Sequence, residues 1–100
     1  MANINRYKVM LYGSSDGYQG NRAQIALYED KQVVGFVRFH DEGMSLPDDE
    51  KPKDQIIMHL PSTMFAGVLD LLRNESPIEL NFRMKRAFFG TSVESVGEGE

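Results

Sequence analysis

Hydrophobic and polar residues alternate along "RYKVMLY", residues 6–12. Tyr7, Val9 and Leu11 interleave with Lys8, Met10 and Tyr12, the period-two signal of a strand with one buried side. The stretch that follows, "GSSDGYQGN" at 13–21, places three glycines among small polar residues and reads as a loop. Alternation resumes in "RAQIALYE", where Ala23, Ile25 and Leu27 share one face. It returns after a short Asp30-Lys31 turn in "QVVGFVRFH", with Val33, Val37 and Phe39 on one side and Phe36, Arg38 and His40 on the other. Two such runs joined by so short a polar turn predict a hairpin.

Residues 41–54, "DEGMSLPDDEKPKD", break the pattern. Six acids, two prolines and one glycine predict an exposed acidic loop. "QIIMHL" at 55–60 is short and apolar enough for a fourth strand. At Pro61, Ser62 and Thr63 the spacing becomes helical, and Phe65, Val68, Leu69 and Leu72 form one stripe that Asn74 and Pro77 end. "PIELNFRM" at 77–84 alternates again, with Ile78, Leu80, Phe82 and Met84 inward. "RAFFGTSVES" reads as a sixth strand, and residues 95–100 as a flexible acidic tail. The expected architecture is one α+β domain over residues 1–100, a curved antiparallel sheet in the order β-β-β-β-α-β-β with one helix packed on it.

Composition narrows the function classes. The chain has 100 residues, 11 Lys and Arg against 15 Asp and Glu, and no cysteine. That excludes a disulfide scaffold, a thiolate metal site and a thiol nucleophile. No apolar run is long enough to span a bilayer, and "MANINRYKV" lacks the features of a signal peptide, so a cytoplasmic, bacterial-type protein without a membrane partner is expected. A net charge of −4 argues against general polyanion binding, which makes the placement of the cations more informative than their sum.

Those cations gather in or beside the strands. Lys8, Arg22, Arg38, Arg83, Lys85 and Arg86 alternate with Tyr12, Tyr28, Phe36 and Phe88, while most acids fall in loops, the helix region or the tail. A cationic face carrying aromatic rings is what single-stranded nucleic acid requires, because cations follow the phosphates and rings stack the bases. Arg38, Arg83, Lys85, Arg86, Tyr28 and Phe88 are the expected contacts. The same pattern also describes a solvated sheet face or a dimer surface. Met64, Gly67 and Leu71 form a second helical stripe that could face a second copy, so a homodimer is expected. A protein-interaction or assembly module with no nucleic-acid role is the alternative.

Four strands followed by a helix, with "QIIMHLPSTMFAGVLDLL" as the last strand and the helix, resembles the single-stranded-DNA-binding transcriptional-regulator group. That group contains the Whirly proteins, the transcriptional positive cofactor four and small bacterial proteins of unknown function. The likeness covers residues 6–74 by element order and carries over no functional residue. It implies dimerisation through the helix and single strands bound on sheet surfaces.

Catalytic and metal signals are sparse. His40 and His59 each end a strand and would meet, with Asp41, Glu42 and Asp54 nearby, if those ends are neighbours. Their spacing matches no metal motif. Gly13, Gly17 and Gly20 precede a strand rather than the helix that a phosphate cradle needs. Asp48, Asp49 and Glu50 lack calcium-loop spacing. No catalytic residue, metal or cofactor is expected, and the reading is a non-enzymatic binding module.

Overall fold

The computed structural model describes residues 2–97; of the tail expected over 95–100, residues 98–100 lie outside the described residues and 95–97 are exposed. The expected order of elements is present, preceded by one short strand. Ala2–Ile4 (β1), Arg6–Leu11 (β2), Ala23–Glu29 (β3), Gln32–His40 (β4) and Ile56–Pro61 (β5) lead into a 3-10 turn at Ser62–Met64. The helix Phe65–Asn74 (α1) and the strands Ile78–Arg83 (β6) and Arg86–Thr91 (β7) follow.

These strands form two sheets, β1-β6-β7 and β2-β3-β4-β5. The first sheet is antiparallel throughout. In the second, β4 and β5 run parallel, pairing Gly35 with Ile56 through His40 with Pro61. Parallel neighbours need a long crossover, and residues 41–55 supply it. The chain passes from one sheet to the other at Asn5, where β1 becomes β2. The Asn5 side chain is held there by the β3–β4 turn, donating to Asp30 Oδ1 at 2.9 Å and accepting from the Asp30 N–H at 2.8 Å.

The inner faces of the two sheets make the core. Ala23, Ile25 and Leu27 of β3, Val37 and Phe39 of β4, and Ile56 of β5 meet Ile4, Ile78, Leu80 and Ala87 of the other sheet. Gly35 leaves room for both neighbours, since a Cβ there would lie 2.6 Å from the Ile56 carbonyl oxygen of its own sheet and 2.7 Å from Leu80 Cδ2 of the other. The helix spans the connection from β5 to β6. It buries Val68 and sets Phe65 edge-on to Phe39, with centroids 5.1 Å apart.

Two inward assignments change. The β3–β4 register slips between Leu27 and Tyr28, so Val33 pairs with Tyr28 and shares its side, and Val34 packs on the core instead. One extra residue reverses the parity of everything before it. Met84, expected inward, is 80% exposed, because the strand has already turned there.

The acidic segment is mostly exposed, yet it is tied to the seam between the sheets. Glu50 pairs with Ile57 along the free side of β5, its N–H donating at 3.0 Å and its carbonyl accepting at 2.7 Å. Beside it the Asp49 carboxylate accepts from the His59 N–H of β5 at 2.8 Å and the Ala87 N–H of β7 at 2.9 Å. One side chain thereby clasps the two sheets together.

Candidate nucleic-acid interface

The β6–β7 hairpin carries Arg83, Lys85 and Arg86 within four residues. Alternation sends Leu80, Phe82, Ala87 and Phe89 to the core and leaves Asn81, Arg83, Arg86 and Phe88 on the outer side. Met84 and Lys85 form the two-residue turn, both left-handed, with φ of 52° and 63°. Two left-handed residues match the twist of a tight hairpin, but the geometry suits Asn-Gly, and each side chain with a Cβ costs on the order of 1–2 kcal/mol there. Arg83 and Arg86 stand directly opposite each other across the ladder, an unfavourable like-charge pair. Arg83 lies over the Phe88 ring, 4.7 Å from its centroid, which orients the guanidinium. Among the described residues the one ion pair joins Arg22 to Asp41, so these three cations have no carboxylate partner.

Tyr28 and Arg38 sit on the other sheet, apart from the hairpin. Arg38 donates from Nε to Gln24 Oε1 at 2.9 Å and lies 5.6 Å from the Phe36 ring centroid, half-buried. Tyr28 opposes Arg6 on β2 and joins Arg6, Tyr7, Lys8 and Lys31 around an open cleft of about 350 Å³. Three cations and the Tyr28 ring share this cleft, no acidic residue lines it, and Tyr7, in register with Leu27, turns its ring to the other side of the sheet. The expected site therefore divides in two, Arg83, Lys85, Arg86 and Phe88 at the hairpin and Tyr28 at the cleft, with Arg38 in neither. Sequence reasoning passed over Arg6 and Lys31 because each sits beside a strand end, where the alternation gives no direction.

Arg22 serves the fold rather than a ligand. Its Nε donates to Asp41 Oδ2 at 2.7 Å, and its two terminal nitrogens donate to the carbonyls of Tyr12 at 2.7 Å, Ser14 at 2.8 Å and Ser15 at 3.1 Å. That fan of bonds fixes the 13–21 loop, which leads into strand β3 as expected and not into a helix. The Asp41 carboxyl is held below its usual range by a hydrogen bond from Ser62 and by Arg22.

The two histidines do meet. His40 Nδ1 lies 2.7 Å from the Gly20 carbonyl oxygen, which can only accept, so that nitrogen carries the proton. Its Nε2 then accepts from His59 Nδ1 at 2.8 Å, and His59 Nε2 is left as a buried lone pair with no partner. Burial, with His40 and Arg38 nearby, pushes the His59 ring below its ordinary pKa and favours this neutral form. Both nitrogens of His40 are engaged, so it cannot take a proton from Ser62 although the two share a groove with Asp41. Of the expected carboxylates, Asp41 turns to Arg22, and Asp49 rather than Asp54 reaches the His59 main chain. Among the described residues no group of three or more His, Asp or Glu side chains is placed to hold a metal ion.

In the helical stripe, Met64 is 49% exposed in the 3-10 turn, Gly67 has open space above it, and Leu71 packs in part against the core. Among the described residues no helix is long and apolar enough to cross a membrane. No family model matches the chain, and no curated protein or solved structure matches it either, so similarity assigns it to no family.

Proposed function

We propose that this protein is a small non-catalytic binding domain for single-stranded nucleic acid, with the β6–β7 hairpin as its phosphate contact. The observation that carries this reading is the Arg83–Arg86 pair, two like charges set opposite each other without a carboxylate partner among the described residues. A phosphate between them converts that repulsion into two charge-assisted contacts. The cleft at Tyr28 offers a ring for stacking, with Arg6, Lys8 and Lys31 for the neighbouring backbone. The resemblance of element order to the single-stranded-DNA-binding regulator group supports the same class of ligand.

Fluorescence anisotropy of a labelled mixed-sequence single strand, titrated at about 50 and 200 mM salt, tests the reading. Affinity should fall steeply between the two. Replacing Arg83, Lys85 and Arg86 together by Ala should weaken binding and flatten that salt dependence, with Arg6→Ala/Lys31→Ala as the separate test of the cleft. Absence of binding at the lower salt would refute the proposal and leave a protein-interaction module as the function to pursue.

A further inference from the structure

Strand β2 has one bare edge. It pairs with β3 on one side, and no described strand lies on the other. The opposite edge of the same sheet is covered: Glu50 pairs with β5, and Asp49 spans the seam from β5 to β7. All of β2 except Val9 is exposed. Tyr7 and Leu11 point toward the core side of the sheet, in register with Leu27 and Ala23, yet they are 37% and 69% exposed. Among the described residues Leu11 is left mostly uncovered and Tyr7 in part.

The hydrogen-bond parity of this edge is fixed by its other side. The Tyr12 N–H donates to the Arg22 carbonyl at 2.9 Å, continuing the register that sets Leu11 opposite Ala23. In an antiparallel pair, residues whose main-chain groups meet the neighbour alternate with residues whose groups point away. Arg6, Lys8, Met10 and Tyr12 therefore turn their main-chain groups to β3, and Tyr7, Val9 and Leu11 turn theirs outward.

We infer that β2 pairs antiparallel with β2 of a second copy of this chain, about a two-fold axis at Val9. A two-fold normal to the sheet brings together residues on the same side of it, so paired positions share parity and the axis passes midway between the two copies of one residue. Only Tyr7, Val9 and Leu11 have free main-chain groups, and Val9 is the centre that uses all of them. Tyr7 then faces Leu11 of the second copy, Val9 faces its equivalent, and about six main-chain hydrogen bonds form.

Charge agrees with this register. A centre at Lys8 would set lysine against lysine with its amides already engaged by β3. The Val9 register sets Lys8 opposite Met10 and Arg6 opposite Tyr12, with no like charges face to face. Across the core-side row it closes Tyr7, Val9 and Leu11 over the same three residues of the second copy. A cleft of about 300 Å³ between the start of β2 and the last turn of α1 stands open beside Tyr7. The product is a continuous sheet of twice the four strands of one copy.

Light scattering across a concentration series, combined with single-cysteine crosslinking, tests the register, and the cysteine-free chain gives a clean background. The mass should approach twice the 11.3 kDa of one chain at micromolar or higher concentration. Val9→Cys should crosslink to a dimer under mild oxidation. Lys8→Cys should not, because strand spacing and rise hold its two Cα atoms about 8 Å apart, past the roughly 7 Å reach of a disulfide. Leu11→Lys, an exposed position whose change leaves the core intact, should weaken the dimer at least about tenfold. A monomer throughout the series would overturn the inference. So would equal crosslinking at residues 8 and 9, or a dimer that survives Leu11→Lys and is lost in Met64→Lys, which would move the interface to the helix.

Discussion

Replacing Asp49 by Ala should be among the most damaging changes to a partly exposed residue of this protein. The carboxylate accepts two main-chain hydrogen bonds, from His59 at 2.8 Å and from Ala87 at 2.9 Å, across the line where β5 meets β7. Hydrogen bonds to a charged acceptor contribute about 1.5–3 kcal/mol each, so the upper bound is about 6 kcal/mol. Asp49 is half-buried, and water can reach part of the space it vacates, which favours the lower part of the range. His59 and Ala87 are themselves buried, at 8% and 6% exposure, so their amides are only partly rehydrated. The expected loss is about 2–4 kcal/mol, a large share of the 5–15 kcal/mol typical of a whole domain. Asp49→Asn should cost less than Ala, because it keeps one acceptor while setting an amide NH₂ against the second N–H. Urea unfolding at constant m measures both, and amide exchange at His59 and Ala87 shows where protection is lost. A cost below about 0.5 kcal/mol for Asp49→Ala, the level of an ordinary surface change, would refute the clasp.

Other expectations concern the turn, the core and pH. Lys85→Gly should raise stability by about 1 kcal/mol by relieving a left-handed residue, while weakening nucleic-acid binding; a gain in both would show that Lys85 is not a contact. Gly35→Ala should cost about 1–3 kcal/mol in chemical denaturation, since its Cβ meets main chain and Leu80 of the opposite sheet with little room to yield. His59, its pKa lowered mainly by burial, takes up a proton more readily in the unfolded chain. Its contribution should be complete above about pH 6.5 and lost as pH falls through the depressed value, and His59→Gln should flatten that slope. Asp41, lowered by Ser62 and Arg22, acts in a separate window, with its contribution present above about pH 3.8 and lost below.

The elements of this fold were legible where the periodicity ran long enough. Ala23, Ile25 and Leu27, and likewise Ile78 and Leu80, are buried as their alternation predicts. Of the Phe65, Val68, Leu69 and Leu72 stripe, Phe65, Val68 and Leu72 pack on the core as the helical spacing requires, and Leu71 rather than Leu69 joins them. What escaped was information that alternation does not carry. A three-residue strand such as Ala2–Ile4 is too short to show a period. The slip at Leu27/Tyr28 that exchanges Val33 for Val34 depends on a partner strand. The division into two sheets moved Tyr28 and Arg38 away from Arg83, because outward on two different sheets is not one surface. Asp49 looked like one acid among six in residues 41–54, and only the placement of β7 gives its carboxylate a structural task.

The parallel pairing of β4 with β5 gives the acidic crossover a role in the direction of the chain. Two strands side by side and pointing the same way require the chain to travel back the length of the sheet between them, and residues 41–55 make that return without a helix. Its length is therefore a topological requirement, unlike that of an ordinary surface loop. A deletion that left only a short turn would permit β5 to pair only in the opposite sense. The helix would then leave from the other end of the sheet, and the β6–β7 hairpin could no longer reach β1 along its present path. Homologues that trim this segment while keeping the rest would be expected to differ in topology, whereas insertions at its exposed, proline-flanked positions should leave the fold unchanged.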